Sequence, residues 1–141
     1  MPNYDASTTN NSKRATRIYK DLDLDFGRNP VTNDVNKLTD VEAVKRSVRN
    51  LINTNHYERP FHPEIGSGIR GLLFEPITPL TSLALQRKVE EVLINFEPRI
   101  NLVQVLTQPD LDRNSYVVKI MFYVIGSSEP VEVETFLERL R

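Results

Sequence analysis

Two stretches of the chain repeat apolar residues every three or four positions, which is the spacing of one helix face. The first stretch predicts an amphipathic helix that ends near Asn53–Asn55 and contains Val41, Val44, Val48, Leu51 and Ile52. Thr39 and Glu42 match the capping-box pattern at its start, so we expect their side chains to bond the first backbone amides. The second stretch predicts a helix over Leu80–Phe96, and Pro98 ends it because the residue before a proline disfavours helical backbone.

Apolar and polar residues alternate strictly from Arg17 to Phe26, which predicts a half-buried strand. We expect the odd-numbered side chains to face water, and these include Asp21, Asp23 and Asp25. The apolar side chains on the other face are expected in the core, and these are Leu22, Leu24 and Phe26. Gly27–Asn36, which contains Asn29-Pro30, predicts a loop.

The C-terminal third predicts an antiparallel sheet, with strands at Ile100–Leu106, Tyr116–Ile125 and Val131–Phe136. Tyr116–Ile125 is apolar on both faces, which is typical of a central strand or of one covered by a second molecule. Arg59–Pro79 combines prolines and glycines with apolar residues, so we expect it to pack over the core or to present a shaped surface. The sum is an α+β fold, a single small domain whose mainly antiparallel C-terminal sheet packs with two amphipathic helices.

Composition limits the classes of function. The 141 residues suggest one domain at residues 17–141, after a polar tail at Met1–Thr16 that we expect to be mobile until assembly orders it. The net charge of −1 favours neither nucleic acid nor an anionic membrane as a partner. The sequence has no cysteine, no signal-peptide pattern in its first residues and no apolar run of about 20 residues. We therefore expect no disulfide, no export signal and no membrane span.

Several motifs imitate known ligand sites. Gly66–Gly71 matches G-x-G-x-x-G, but Glu75-Pro76 prevents the long helix that a dinucleotide site needs. Asp110–Asn114 resembles the start of a calcium loop, yet its later ligand positions are wrong, so we expect a turn. The two histidines, His56 and His62, are too few for a zinc site. We therefore expect no metal and no cofactor.

A glycosidase needs two carboxyl groups, one of which has a raised pKa. Four glutamates are candidates, and each lies near a proline or an arginine that equally suits a structural ion pair: Glu58, Glu64, Glu75 and Glu97. In Glu97-Pro98-Arg99 the arginine would lower the pKa of the carboxylate, which is the wrong direction for a general acid. From the residues alone, this triplet indicates a helix stop with two surface charges that contribute about 0 to 1 kcal/mol.

The order of several motifs resembles the baseplate wedge and sheath-initiator family of T-even-like contractile phages, which is related to a baseplate component of type VI secretion systems and contractile bacteriocins. The first helix from Asp40 is followed by Arg59-Pro60-Phe61 and Pro63-Glu64-Ile65-Gly66. Leu72–Pro76, the second helix and then Glu97-Pro98-Arg99 complete the resemblance, which covers about Tyr19 to Phe136.

The resemblance implies a virion protein of the tail baseplate, assembled in the host cytoplasm, present in several copies around a sixfold axis and not an enzyme. It implies contacts with other wedge proteins through Glu97, Pro98, Arg99, Arg59, Phe61 and Glu75. It implies strand pairing with the tail sheath protein through Val131, Val133 and Thr135, and it leaves contacts with tube or hub proteins open. The alternatives are the equivalent subunit of a secretion system or bacteriocin, and a lysozyme-like cell-wall glycosidase.

Overall fold

A computed structural model describes residues 19–140, so the predicted tail at Met1–Thr16 lies outside the described residues. The described strands are β1 Lys20–Leu22, β2 Lys37–Thr39, β3 Ile100–Asp110, β4 Ser115–Val124 and β5 Pro130–Glu138. The helices are α1 Asp40–Asn53, α2 Ile69–Leu72 and α3 Pro79–Phe96. Among the described residues, no helix is both long enough and apolar enough to cross a membrane.

Strands β3, β4 and β5 form an antiparallel sheet in that order, so β4 is the central strand, as its two apolar faces predict. Strand β3 is longer than the predicted Ile100–Leu106, because its pairing with β4 continues to Asp110 opposite Ser115. A bulge between Leu102 and Gln104 shifts the register and interrupts the alternation of apolar and polar residues that would otherwise predict the full length of the strand.

The core lies between one face of this sheet and the two long helices. The inward side chains of β4 are completely buried or nearly so, among them Tyr116, Val118, Ile120 and Phe122. The helices bury the apolar stripes that the sequence predicts, including Val44, Val48, Leu85, Val89 and Leu93. The α+β prediction is confirmed, and burying each of these side chains contributes about 1.5–3 kcal/mol.

The two long helices begin differently. In α3 the Thr78 hydroxyl accepts the Thr81 N–H at 3.1 Å and Pro79 occupies the first turn, so both ends of the predicted helix are confirmed to within a residue. In α1, Thr39 is the N-cap, but its side chain makes no capping hydrogen bond, so that detail of the capping-box prediction is wrong. Instead, the backbone N–H of Asp40 donates to the carbonyl of Tyr19 at 2.8 Å.

The proline- and glycine-rich segment after α1 divides into two halves. Its second half packs on the core through Ile69 and Leu73. Gly66 makes this possible, since a Cβ there would lie 2.5 Å from the backbone of Asn55. Its first half is at the surface, where Phe61 is 97% exposed. Both predicted roles, packing and surface presentation, therefore occur in one segment.

Residues 20–39, which we call the hairpin arm, correct the prediction of a long strand at Arg17–Phe26. Within the described residues, only Lys20–Leu22 is a strand, and it pairs with β2. The predicted burial of the apolar side chains is wrong as well. The apolar side chains are largely exposed, at 57% for Leu22, 51% for Leu24 and 67% for Phe26. The three aspartates form ion pairs with Arg46 and Arg99 of the body of the protein, although the side chains of Asp21 and Asp25 remain 45% and 77% exposed.

Candidate functional site

The junction between α3 and β3 is built from the predicted triplet. Glu97 caps the C-terminus of α3, and its N–H donates to the carbonyl of Leu93. Its side chain is almost completely buried and makes a two-pronged ion pair with Arg99, whose Nε and Nη2 lie 2.6 and 2.8 Å from the two carboxylate oxygens. Pro98 between them is exposed and fixes the backbone so that both side chains turn to the same side.

Arg99 also joins the junction to the rest of the molecule. Its Nη1 lies 3.2 Å from the carboxylate of Asp21 in the hairpin arm, and its guanidinium lies 5.6 Å from the centre of the Tyr19 ring. Its backbone carbonyl accepts the N–H of Ile125 at the end of the central strand. The interpretation of the triplet as two surface charges is therefore wrong, because these contacts link the arm, α3 and the sheet.

The charge states of this pair follow from its surroundings. Burial raises the pKa of the Glu97 carboxyl, but hydrogen bonds from Arg99 and from Ser47 outweigh it and hold the pKa below its usual value of 4.5. The hydrogen bond with Glu97 outweighs the effect of burial on Arg99 and raises the pKa of its guanidinium. Both groups are charged at neutral pH, and Glu97 lacks the raised pKa that a general acid needs.

A groove of about 780 Å³ opens beside the junction. The hairpin arm forms one wall and α1 forms another, and all three residues of the triplet line it together with Arg59. About a quarter of the Arg99 side chain is exposed there. Four of the six predicted wedge-contact residues thus lie together.

The other two predicted wedge-contact residues lie outside the groove. Phe61 projects from the exposed half of the segment after α1. Glu75 is exposed just before α3, where its backbone carbonyl accepts a hydrogen bond from Arg139 at 3.0 Å. The sequence did not indicate Asp21, Ser47 or Lys37, which complete the junction and groove. The aspartate alternation was the available signal for Asp21, but we expected that side chain to face water.

The residues predicted for strand pairing lie on β5, which is an edge strand. Val131 and Val133 are buried against the helices, and Thr135 is half-buried. Ser115 pairs with Glu138, so Asn114 lies opposite Arg139, and the Arg139 N–H donates to the Asn114 carbonyl at 3.0 Å.

Along two antiparallel strands, residue pairs that are hydrogen-bonded to each other alternate with pairs that are not. Because Arg139 and Asn114 form a bonded pair, this alternation fixes the direction of every backbone group in β5. The residues predicted to pair with the sheath therefore direct their backbone groups toward β4, and these are Val131, Val133 and Thr135. The groups of the intervening residues point to the open edge: Glu132, Glu134 and Phe136. Pro130, which has no N–H, also occupies an outward position, where proline is tolerated. Between described residues, no hydrogen bond occupies this edge.

The remaining sequence motifs adopt structural roles. The Glu58 carboxylate bonds the side chain and the backbone N–H of Asn55, and these bonds lower its pKa. A hydrogen bond from its own backbone N–H and another with the His62 side chain lower the pKa of the Glu64 carboxyl. Gly66–Gly71 leads into a helix of only four residues, and Asp110–Asn114 forms the predicted β3–β4 turn. The described residues contain no cluster of three or more His, Asp or Glu side chains that could hold a metal.

The comparison with protein families matches residues 39–127, from the start of α1 into the turn after β4, to the model described as baseplate wedge protein gp25. The chain belongs to this family. It is 33% identical over 116 residues to baseplate wedge protein gp25 of Enterobacteria phage T4, and the match covers 82% of this chain and 87% of that protein. The chain is therefore a baseplate wedge component of a phage or phage-like contractile tail, and the predicted resemblance is confirmed.

Solved structures share the fold. A putative tail lysozyme from Geobacter sulfurreducens superposes with a TM-score of 0.65 at 25% identity, covering 70% of this chain and 89% of that one. A chain of the anti-feeding prophage baseplate gives 0.61 at 24% identity, covering 87% of each chain. A chain of the post-contraction pyocin R2 baseplate gives 0.50 at 24% identity, covering 78% and 96%. At these identities the two baseplate chains show a common fold.

Proposed function

We propose that this chain is a non-catalytic assembly subunit that binds neighbouring wedge proteins at the α3–β3 junction and starts the tail sheath at the open edge of β5. The proposed wedge contact is supported mainly by the ion pairs and the partial exposure of Arg99. Glu97 and Asp21 hold its guanidinium in one position, yet a quarter of the side chain faces the groove. A charged group held in this way binds a partner without losing much side-chain entropy.

The roles within the triplet are unequal. Glu97 is buried and already bonded to Arg99 and Ser47, so it acts by positioning Arg99. Pro98, Arg99 and Arg59 provide the contact surface, and the exposed Phe61 and Glu75 extend it beyond the groove. The partners of this surface are other baseplate wedge proteins.

The sheath contact is strand addition. An incoming strand of the sheath protein bonds the outward backbone groups of Glu132, Glu134 and Phe136, while Val131, Val133 and Thr135 hold β5 in the sheet. The exposed glutamates oppose indiscriminate pairing of the edge with other strands. Backbone bonds supply the affinity, and side chains on the exposed face set the register.

The wedge contact is tested by Arg99→Ala in particles that contain only the variant. We expect a folded protein that fails to enter baseplates, since the anchored guanidinium is lost. Arg87→Ala is a matched control, because Arg87 is exposed on α3 and does not line the groove. Normal incorporation of folded Arg99→Ala would contradict the wedge contact.

The sheath contact is tested by Glu134→Pro. The N–H at this position points to the open edge, so proline removes a donor for the sheath strand without removing a bond to β4. We expect complete baseplates with bare tubes in electron micrographs. Glu134→Gln, which keeps the N–H, should assemble sheaths. Sheathed tails in the proline variant would refute strand addition at this edge. Proline at Val133 is unsuitable, because its N–H bonds Ile120 within the sheet.

A cell-wall glycosidase is the second candidate, favoured only by the likeness to the putative tail lysozyme. The lowered pKa values of Glu58, Glu64 and Glu97 oppose a general-acid role for any of them. Purified chain should therefore leave peptidoglycan intact. Hydrolysis that disappears when one of these glutamates becomes glutamine would establish the enzyme instead.

The particle that contains this subunit is proposed to be a phage virion with several copies around a sixfold tail axis, assembled in the host cytoplasm. A type VI secretion system or a bacteriocin would use the same contacts. Neighbouring genes separate these contexts, since a virion needs capsid and DNA-packaging genes. Contacts with the tube or hub would appear as crosslinks to those proteins in purified baseplates.

A further inference from the structure

The outward face of α3 carries large apolar side chains at both of its ends. Leu80 and Leu83, in the first two turns, are 77% and 43% exposed, and Ile94, in the last turn, is 69% exposed. The three residues lie on one side of the helix, because steps of three and eleven residues correspond to about one and three turns. This side is opposite the buried stripe that packs on the core. An exposed apolar stripe of this kind indicates a contact with another protein surface.

Between these apolar ends, the same face carries one basic and one acidic side chain. Arg87 follows Leu83 by four residues, and Glu90 precedes Ile94 by four. Among the described residues, Arg87 is exposed without an ion pair, and Glu90 accepts a hydrogen bond from the uncharged Gln86 at 3.0 Å but has no ion pair either. The order along the helix is therefore apolar, basic, acidic, apolar. Two copies of this order are complementary when they run in opposite directions.

A cavity of about 510 Å³ lies beside the C-terminal end of this stripe. It opens between the last turns of α3 and the start of β3, and its walls include Ile94 and Val103. Val103 is 55% exposed, because the bulge of β3 leaves it without a partner on β4. The outward face of α3 thus has projecting leucines at its N-terminal end and a partly apolar hollow at its C-terminal end.

We propose that the outward face of α3 binds the same face of a second copy of this chain, with the two helices antiparallel and related by a twofold axis. Leu83 of each copy then packs on Ile94 of the other, and Arg87 of each copy pairs with Glu90 of the other. Leu80 reaches the cavity beside β3 of the second copy. Because the axis is twofold, each of these contacts occurs twice. The antiparallel orientation also places opposite ends of the two helix dipoles together.

Charge complementarity selects both the occupant and its direction. A parallel pair of helices would bring Arg87 opposite Arg87 and Glu90 opposite Glu90, and such contacts between like charges are unfavourable. The contact between two single helices is small, below about 1,200 Å², so we expect a dimer that dissociates on dilution. This inference goes beyond the proposed function and does not rest on it, so the purified full chain is sufficient for the test.

The first measurement is sedimentation equilibrium of the full chain over a range of concentrations. We expect the average mass to rise from one chain toward two. Arg87→Glu and Glu90→Arg should each weaken the dimer about tenfold or more, since each brings like charges together. The double variant Arg87→Glu/Glu90→Arg exchanges the charges and should restore the dimer. Arg49→Glu, at an exposed position on α1, is the matched control and should have no effect.

Disulfide crosslinking tests the direction of the pair, because the chain has no cysteine of its own. A mixture of Leu83→Cys and Ile94→Cys chains in glutathione buffer should form a covalent dimer that joins the two variants. Each variant alone should not, because two copies of position 83 lie about 16 Å apart along antiparallel helices, too far for a disulfide.

Three results would overturn this inference. The first is a wild-type chain that stays monomeric up to about 1 mM, which would leave this face to a different protein. The second is a covalent dimer of either cysteine variant alone, which would mean a different arrangement of the copies. The third is a double charge variant that keeps the thermal midpoint of the wild type but does not recover the dimer.

Discussion

The hairpin arm and the C-terminal sheet are held to the molecule by opposite means. The sheet contributes a row of completely buried side chains, such as Ile120 and Phe122, and its contacts are apolar. The arm leaves its leucines exposed and is attached through aspartates to Arg46 and Arg99. Partly exposed ion pairs contribute less than complete apolar burial, so we expect the sheet to determine the stability of the fold and the arm to contribute little to it.

The largest effect should come from the sheet. Phe122→Ala removes a completely buried ring from the central strand and should lower the free energy of unfolding by about 3–5 kcal/mol, measured by urea denaturation. Its neighbour Tyr123 lies on the uncovered face and is 38% exposed, so Tyr123→Ala should cost about 1 kcal/mol or less. Equal losses in the two variants would mean that the outer face is covered in the isolated chain.

An intermediate effect is expected at the junction, where charge is buried. Glu97→Gln keeps the shape but removes the charge that Arg99 faces, and should cost about 1–3 kcal/mol at neutral pH. Because folding lowers the pKa of Glu97, its contribution is complete above pH 4.5 and is lost as the pH falls through the lowered pKa.

The pH dependence distinguishes this charge effect from a packing defect. The difference between wild type and Glu97→Gln should be nearly the same when unfolding is measured at about pH 7 and pH 5, and smaller at about pH 3. Glu129→Gln, at an exposed turn, should match the wild type at each pH. A difference for Glu97→Gln that stays constant down to about pH 3 would show that the ion pair is not its cause.

The smallest effect should come from the arm. Arg46→Ala removes the partner of Asp23 and Asp25, so amide hydrogens that residues 20–39 protect should exchange faster while the global midpoint is unchanged. Arg49→Ala on the same helix is the control, since Arg49 has no ion pair with a described residue. A lowered global midpoint in Arg46→Ala would mean that the arm belongs to the cooperative core.

The sequence predicts the sheet and helices better than the arm, for a physical reason. In α1 and α3 the helical spacing of apolar residues identifies the buried face, because these side chains leave water only by packing against the core. In the arm, alternation correctly groups Leu22 with Leu24 and Asp21 with Asp23. It does not identify which side chains contact the body of the protein, because these contacts depend on Arg46 and Arg99, both more than 20 residues away.

The same limit explains the candidate site. The motif Glu97-Pro98-Arg99 identifies the junction, but local sequence gave no sign that Glu97 would be buried, since Ser47 and Asp21 arrive from other elements. The alternation of Val131 and Val133 with glutamates correctly predicts a strand here, which the structure shows to be an edge strand of the sheet. Only the register with β4 reveals that the neighbouring residues, Glu132 and Glu134, direct their backbone groups outward.

The central claim, that two separate surfaces bind two different partners, is tested most directly by photo-crosslinking in assembling particles. Benzoylphenylalanine replaces Phe61 on the wedge surface or Phe136 beside the open edge of β5, both exposed aromatic positions. Mass spectrometry of the crosslinked species should identify wedge proteins from position 61 and the sheath protein from position 136. Crosslinks to the same partner from both positions, or to the sheath from position 61, would contradict this account.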